Sequence, residues 1–273
     1  MRYIDTFNSV IDNYDLFIVD VWGVVHNDGV STFDGVLSLL QEIKRLGKHL
    51  HFLSNSPGSA EEVRKALSDI GIERNYYDDV HTSGEETRML LTNGELGVGT
   101  KCFVIESTRG IIDGTFIQRT DSLDDADFVL CSGMSDRLNL GIYDQLLKNI
   151  KDRNLLMICP NPDIIVKTIS GELYCPGAIA QKYEDIGGKV VYIGKPYAGV
   201  YSRILKKYSI NKSRILGIGD GLNTDIKGAV NFGIDSALVI ETGILSSKFF
   251  ADGSIKKIEL DGYLLKEKVL PTY

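Results

Sequence analysis

Apolar residues along the chain follow two alternating rhythms. Short runs rich in Val, Ile, Leu and Phe, beginning with Leu16 to Val25 and His49 to Leu53, are separated by segments in which apolar positions recur every three or four residues. In the first such segment Val36, Leu39, Leu40, Ile43 and Leu46 share one stripe, which predicts a helix stopping at Gly47, a residue suited to a left-handed C-terminal position. Ser59 and Glu62 have capping-box spacing, so a second helix is expected to begin there, to bury Val63, Leu67 and Ile70, and to end near Gly71. Further strands are expected at Val80 to Ser83, Lys101 to Ile105, Asp127 to Cys131, Leu155 to Cys159, Lys189 to Ile193, Arg214 to Ile218 and Ser236 to Ile240. Helical segments separate most of them, a pattern that predicts an α/β protein with a doubly wound parallel sheet covered by helices on both faces.

These are more strands than one modest sheet needs. The chemically suggestive segments fall only near residues 20 to 56 and 195 to 228, so the middle of the chain is expected to be an inserted domain. Its expected limits are 84 to 187, leaving 1 to 83 and 188 to 273 as the core. No internal repeat, low-complexity tract or Pro-rich linker marks the joints.

At 273 residues the chain can bury roughly 70–75% of its unfolded surface, and 43% hydrophobic with 25% charged residues is ordinary for a soluble globular protein. The net charge of −7 argues against a general nucleic-acid or anionic-membrane surface, which needs clustered Lys and Arg. Any anionic ligand must therefore be held locally. Cys102, Cys131, Cys159 and Cys175 form no CxxC pair and read as reduced core thiols. Asp5 and Asp12 interrupt the apolar region a signal peptide would need, and MRYIDTFNSVIDNYD reads instead as a short amphipathic helix. No apolar stretch approaches the roughly 20 residues that span a bilayer, so a cytoplasmic location is expected.

Four segments carry candidate chemistry. In LFIVDVWGVVHNDG, Asp20 stands where a strand runs into a Gly-containing loop, and ligands of open α/β folds collect at such strand ends. A carboxylate there needs a partner; a metal ion would serve, with the backbone carbonyl of residue 22 as a second oxygen ligand for Mg²⁺. A structural turn aspartate fits the same words. In LSNSPGS, Ser54, Asn55 and Ser56 precede a helix N-terminus and suit an anion, or simple capping. In YIGKPYAGV, a strand ends near Gly194 and presents Lys195, with Pro196 presetting the first turn of a helix; a solvated loop lysine is the plainer alternative. In ILGIGDGLNTDIKGA, Asp220 enters a Gly loop and Asp225 follows at a helix start, a set suited to a hard cation. Gly217, Gly219 and Gly221 invite a dinucleotide reading, but their spacing is GxGxG and an acidic loop repels pyrophosphate.

Their order along the chain, carboxylate, hydroxyl, lysine and acidic loop, resembles the four motifs of the haloacid dehalogenase-like superfamily. DVWGVV, LSNS, GKP and GDGLNTD match them in turn, while NPD at Asn161 to Asp163 and CPGAIA at Cys175 to Ala180 resemble the cap-to-core return of the C2-capped, NagD-like subclass IIA. The resemblance covers nearly the whole chain and implies a Rossmann-like core with an inserted α/β C2-type cap. It implies a Mg²⁺-dependent phosphatase acting on a small phosphorylated metabolite, a sugar or aryl phosphate among them. Asp20 would be the nucleophile, Ser54 and Lys195 would hold the phosphoryl group, and Asp20, the Trp22 carbonyl, Asp220 and Asp225 would hold the metal. Gly23, Asn55, Ser56, Asn161 and Asp163 are the implied substrate-binding positions; for Asn161 and Asp163 an Asn-Pro-Asp turn is the structural alternative. Cap-mediated homodimers occur in this branch, so one is among the expectations.

Residue 22 departs from the family pattern. Family phosphatases carry there a second aspartate that protonates the leaving group and then activates water, whereas this chain has Trp22. The metal contact survives because it uses backbone oxygen, but an indole N–H is no general acid near neutral pH. General acid–base help is worth about 10²–10⁴-fold, out of accelerations that reach roughly 10²¹-fold for phosphate esters, so losing it need not abolish turnover. His26 and Asp28, in the same loop, are the candidates to replace it; a packing role is the alternative for His26, as for His49, His51 and His81. The rival readings are a non-catalytic, phosphate-liganded scaffold or regulator, supported by Trp22, and a receiver-like phosphoacceptor, opposed by the long insertion before Lys195. A dinucleotide-dependent oxidoreductase is weaker still, because the first strand is followed by WGVVHNDG and no phosphate fingerprint.

Overall fold

The computed structural model describes residues 2–4 and 6–273. In chain order the first elements are β1 (Leu16–Val19), α1 (Val36–Arg45), β2 (His49–Ser54), α2 (Ala60–Asp69), β3 (Asp79–Thr82) and α3 (Ser83–Thr92). There follow β4 (Lys101–Ile105), β5 (Gln118–Thr120), β6 (Phe128–Cys131), α4 (Asp144–Asp152), β7 (Leu156–Cys159), β8 (Ile165–Thr168), β9 (Gly171–Tyr174), α5 (Pro176–Asp185) and β10 (Lys189–Tyr192). The chain closes with α6 (Ala198–Leu205), β11 (Ile215–Gly219), a π turn at Leu222–Ile226, α7 (Lys227–Phe232), β12 (Asp235–Leu238), α8 (Ser246–Phe249), β13 (Phe250–Ala251), β14 (Ser254–Ile255) and α9 (Lys257–Glu267). Two compact units result: one from residues up to 54, 64–81 and 195–273, the other from 55–63 and 82–194.

The first unit holds a five-stranded sheet of order β12-β11-β1-β2-β3, with β12, β11, β1 and β2 pairing in parallel. From β1 the chain moves outward through β2 and β3, and later through β11 and β12 on the other side. Right-handed crossovers then put helices on opposite faces, and the order reverses between β1 and β11, where their carboxyl ends leave a crevice. On one face Leu16 and Ile18 pack with Val200, Tyr201 and Ile204 of α6 and with Ala229 and Phe232 of α7. All four residues of β1 are buried, as a strand sandwiched between helical layers requires.

The second unit has its own parallel sheet, of order β10-β7-β6-β4-β5. Val129 and Met157 pack under Leu147 and Ile150 of α4 and Ile179 and Tyr183 of α5, while Val104, Leu130 and Ile158 face Leu91 of α3. A separate antiparallel hairpin joins β8 to β9. All four cysteines are free thiols, and all are buried. No helix among the described residues is long and apolar enough to cross a membrane.

Local signals place most elements. α1 ends before Gly47 at φ +68°, α2 is followed by Gly71 at φ +88°, and the Glu62 amide donates to Ser59 Oγ at 3.1 Å as the capping spacing predicts. The first strand is shorter than its apolar run. It stops at Val19 because the chain turns back, with the Val25 amide bonded to the Val21 carbonyl at 2.9 Å; Val21 and Val25 are buried as loop residues, which mimics a strand in sequence. The N-terminal segment forms two 3₁₀ turns, Phe7–Ser9 and Ile11–Asn13, instead of an amphipathic helix. Nucleating a helix this short is unfavourable, and burial of Val10, Ile11 and Tyr14 is satisfied by turns. Asp12 lies in the second turn, and Asp5 lies outside the described residues. Pro196 does not open α6, which starts at Ala198; the Lys195–Pro196 peptide is cis.

Candidate active site

The register Val19↔Ile218 sets β1 and β11 side by side, and the Asp20 amide continues the ladder by donating to the Ile218 carbonyl at 2.9 Å. Asp20 and Asp220, each the first residue beyond its strand, therefore leave the sheet together at the switch point. β2 pairs with the other edge of β1, Val19 opposite Phe52, and ends in the buried Ser54 one strand away from Asp20. Lys195 begins the return to the first unit, directly after the connection from β10.

These residues converge. Lys195 Nζ donates to Asp20 Oδ1 at 2.5 Å and to Asp225 Oδ1 at 2.6 Å, and only 3% of the lysine is exposed. One carboxylate oxygen from each of Asp20, Asp220 and Asp225 lies within 4.8 Å of the others, and all three residues are buried. The π turn places Asp225, whose Oδ2 accepts from the Gly221 amide at 3.1 Å. A Cβ on Gly219 would sit 2.1 Å from Asp225 Cγ, so that glycine makes room for a carboxylate rather than for a pyrophosphate.

Lys195 bonds two of the three buried carboxylates, Asp20 and Asp225, with Asp220 beside them, so negative charge is crowded into a site of low polarisability. Burial pushes the Asp20 carboxyl well above the usual range, Lys195 pulls it back, and Asp225 and Asp220 push it up again. A divalent cation removes this conflict, and the donor set fits one: every ligand atom on offer is an oxygen, as hard cations require. Asp20, Asp220 and Asp225 would hold it.

The loop after β1 is tightly arranged. Gly23 has φ +82°, and a Cβ there would lie 2.2 Å from Asp220 Oδ2, so the backbone approaches that carboxylate closely. The Gly23 amide donates to the His26 carbonyl at 2.7 Å, and the Trp22 indole stands edge-on to the His26 ring, centroids 5.0 Å apart. His26 is buried, and burial holds its pKa below the ordinary histidine value; its Nδ1 accepts the Gly29 amide at 3.1 Å, which a protonated ring could not do. Asp28 Oδ1 accepts the Val30 and Ser31 amides, bonds that keep its carboxyl below the usual range. Neither group stores a transferable proton at neutral pH.

The remaining expected positions lie in the second unit. Asn55 donates to Asp163 Oδ1 at 2.9 Å, and the Asp163 amide donates to Asn161 Oδ1 at 3.1 Å, an Asx turn across Pro162. Ser56 Oγ accepts the Gly58 amide at 3.2 Å and its carbonyl accepts from Ser83 Oγ at 2.9 Å. Cys175 is the N-cap residue of α5, with Pro176 in its first turn. Two contacts in the first unit come from a segment that carried no expectation: Ile244 N–H donates to Asp220 Oδ2 and Thr242 Oγ1 donates to the Gly23 carbonyl, both at 2.8 Å. A Thr-Gly pair beyond the last strand of the sheet was their only trace in the sequence.

An α/β fold with a carboxylate–lysine centre at its switch point is common to haloacid dehalogenase-like hydrolases and receiver-like phosphoacceptors, and sequence relatives separate the two. A family model described as haloacid dehalogenase-like hydrolase matches residues 17–130, and a HAD-hydrolase-like model matches residues 192–250. A crystal structure of a haloacid dehalogenase-like hydrolase from Brucella suis 1330 is 34% identical, covering 94% of this chain and 96% of that one, with a TM-score of 0.82. The structure of a 4-nitrophenylphosphatase from Thermotoga maritima is 29% identical over 86% of this chain and 88% of its own, with a TM-score of 0.67. Among curated proteins, a 4-nitrophenylphosphatase of Schizosaccharomyces pombe is 26% identical over 267 residues, 87% of each chain. The chain belongs to the haloacid dehalogenase-like hydrolases, in their NagD-like branch.

Proposed function

We propose that the protein is a Mg²⁺-dependent phosphatase of small phosphate monoesters that works through an aspartyl-phosphate on Asp20. The observation that carries this reading is the buried cluster in which Lys195 bridges Asp20 and Asp225 at 2.5 and 2.6 Å beside Asp220. Relatives named as phosphatases support it. A bound Mg²⁺, held by Asp20, the Trp22 carbonyl, Asp220 and Asp225, would supply charge neutralisation at the phosphoryl group.

Asp20 Oδ attacks phosphorus, the bond to the ester oxygen breaks, and the leaving group departs with the electron pair. Lys195 balances the charge on Asp20 and on the phosphoryl oxygens, and the Ser54 hydroxyl donates to one of those oxygens. Water then attacks phosphorus, the bond between phosphorus and Asp20 Oδ breaks, the water's proton passes to solvent, and inorganic phosphate is released. Trp22, neutral His26 and ionised Asp28 carry no acidic proton at neutral pH, so the leaving group takes its proton from solvent. Aryl and acyl phosphates, whose leaving groups are stable as anions, are therefore the favoured substrates over alkyl phosphates. The segment 84–187 would be the C2-type cap, with Asn161 and Asp163 among its selectivity residues, and Gly23, Asn55 and Ser56 complete the proposed substrate contacts.

Trp22 also favours a second reading, a phosphate-liganded protein without turnover that acts as a scaffold or regulator. A phosphatase screen over aryl, acyl, sugar and nucleotide phosphates with Mg²⁺, against an Asp20→Asn control, separates the two. Release of phosphate by the native chain, absent from the control, is the expected result. Silence of the native chain together with hydrolysis by Trp22→Asp would establish the second reading.

A further inference from the structure

The turn Thr242–Ile244 is not one of the four motif segments, yet it touches two of them. Thr242 Oγ1 donates to the Gly23 carbonyl at 2.8 Å, and the Ile244 amide donates to Asp220 Oδ2 at 2.8 Å. Between them Gly243 lies against Asp220 itself: a Cβ there would sit 2.2 Å from Asp220 Cβ and 2.8 Å from the Val239 carbonyl oxygen. Gly23 in turn has no room for a Cβ on the Asp220 side. Residues 23, 220 and 242–244 thus interlock, each filling the space the next leaves.

The consequence concerns backbone orientation. The peptide between Trp22 and Gly23 is fixed by the Gly23 amide bonding to the His26 carbonyl at 2.7 Å, and the peptide between Gly23 and Val24 by the hydroxyl of Thr242. A glycine at φ +82° is otherwise free to rotate between these planes, and rotation would swing the Trp22 carbonyl. The Ile244 amide does the same for a side chain, binding one Asp220 oxygen and so choosing the direction of the other. His26 contributes through its carbonyl, while its ring packs against Trp22 and accepts the Gly29 amide.

We infer that the Thr242–Ile244 turn is a positioning element that sets the divalent-metal site by fixing the Trp22–Gly23 backbone and the Asp220 carboxylate. This rests on the metal-site reading given above. Groups that orient metal ligands are typically worth 10–100-fold in metal affinity, and the hydroxyl is the one part of the turn that substitution can remove alone.

The test is Mn²⁺ binding to the full chain, followed by electron paramagnetic resonance, with thermal melting of the metal-free proteins to confirm folding. Thr242→Val keeps the shape and removes the donor; it is expected to weaken Mn²⁺ by about tenfold, while Thr242→Ser retains near-native affinity. Gly243→Ala, which drives a methyl into Asp220, is expected to weaken binding at least as much. Native affinity in Thr242→Val, or equal losses in the Val and Ser variants, would overturn the inference and leave the metal site standing. Equal Mn²⁺ affinity in the native chain and Asp220→Asn would instead remove the metal site, and the positioning role with it. If Thr242→Val melts far below the native chain, the Gly243→Ala and Thr242→Ser pair carries the decision by the same criteria.

Discussion

The two five-stranded sheets of the molecule are alike in kind and opposite in what they end in. Each has five strands and parallel pairing, but β1 and β11 of the first run into Asp20 and Asp220, whereas the neighbours β6 and β7 of the second end in Cys131 and Cys159. The thiols are fully buried, and Cys131 is pushed well above the usual thiol range by a hydrogen bond with the Cys159 thiol and by burial. One sheet places unstable charge at its strand ends and the other places apolar filling there. Architecture alone therefore does not make a site; the side chains gathered at the strand ends do.

The largest expected effect that sharpens this contrast is Asp20→Asn, which should lower p-nitrophenyl phosphate hydrolysis by about 10³-fold or more while leaving the melting profile nearly unchanged. Next is Lys195→Met, which leaves two buried carboxylates without their cation. In the presence of a chelator it should cost about 3 kcal/mol, measured by urea denaturation. Saturating Mg²⁺ comes third: at a hundredfold excess over its dissociation constant it should stabilise the native chain by about 2.7 kcal/mol, and Asp220→Asn should abolish that gain. A native chain indifferent to Mg²⁺ would erase the difference between the sheets.

Acid sensitivity offers a smaller handle on the first unit. His51 is wholly buried in β2 and its pKa is pushed down to about 3 by burial, with Lys207 adding to the effect. Because the folded value lies below the ordinary 6.5, the unfolded chain binds the extra proton. Stability should be flat above about pH 6.5 and fall below it by about 1.4 kcal/mol per pH unit from this group, until the folded form also protonates. His51→Phe should remove that part of the slope in denaturation curves taken between pH 7 and pH 5. Smallest of all, Cys131→Ala should cost about 1 kcal/mol of stability and leave Mn²⁺ affinity and hydrolysis at native levels; a change in either would contradict the division of roles.

Elements and chemistry were legible wherever a local rule governs them. The α1 stripe, Gly47, the Ser59–Glu62 cap and the strands Lys101–Ile105 and Leu156–Cys159 all follow from periodicity or capping. β5 and the β8–β9 hairpin escaped because their residues are half-buried or exposed and carry no clear apolar alternation. The convergence of Asp20, Lys195, Asp220 and Asp225 was readable from the order of the motifs, since three of the four carry a charged side chain that needs a partner. The Thr242–Ile244 turn was not, because it acts through one hydroxyl and one backbone amide, and an amide has no letter in the sequence. Residue 22 was legible as a departure from the pattern the resemblance implies, while the contact inferred to orient its carbonyl, Thr242 on the neighbouring Gly23 carbonyl, lies more than 200 positions away.

Gly23 and Trp22 are neighbours with opposite freedom. At 23 every heavier residue collides with Asp220, so that position is closed to drift for as long as the loop keeps its course. At 22 the backbone does the holding and the side chain is a separate variable, so another side chain can replace the indole without unmaking the loop. Adjacent codons thus behave as lock and dial, and a laboratory search for altered proton chemistry has its opening at the second of the two.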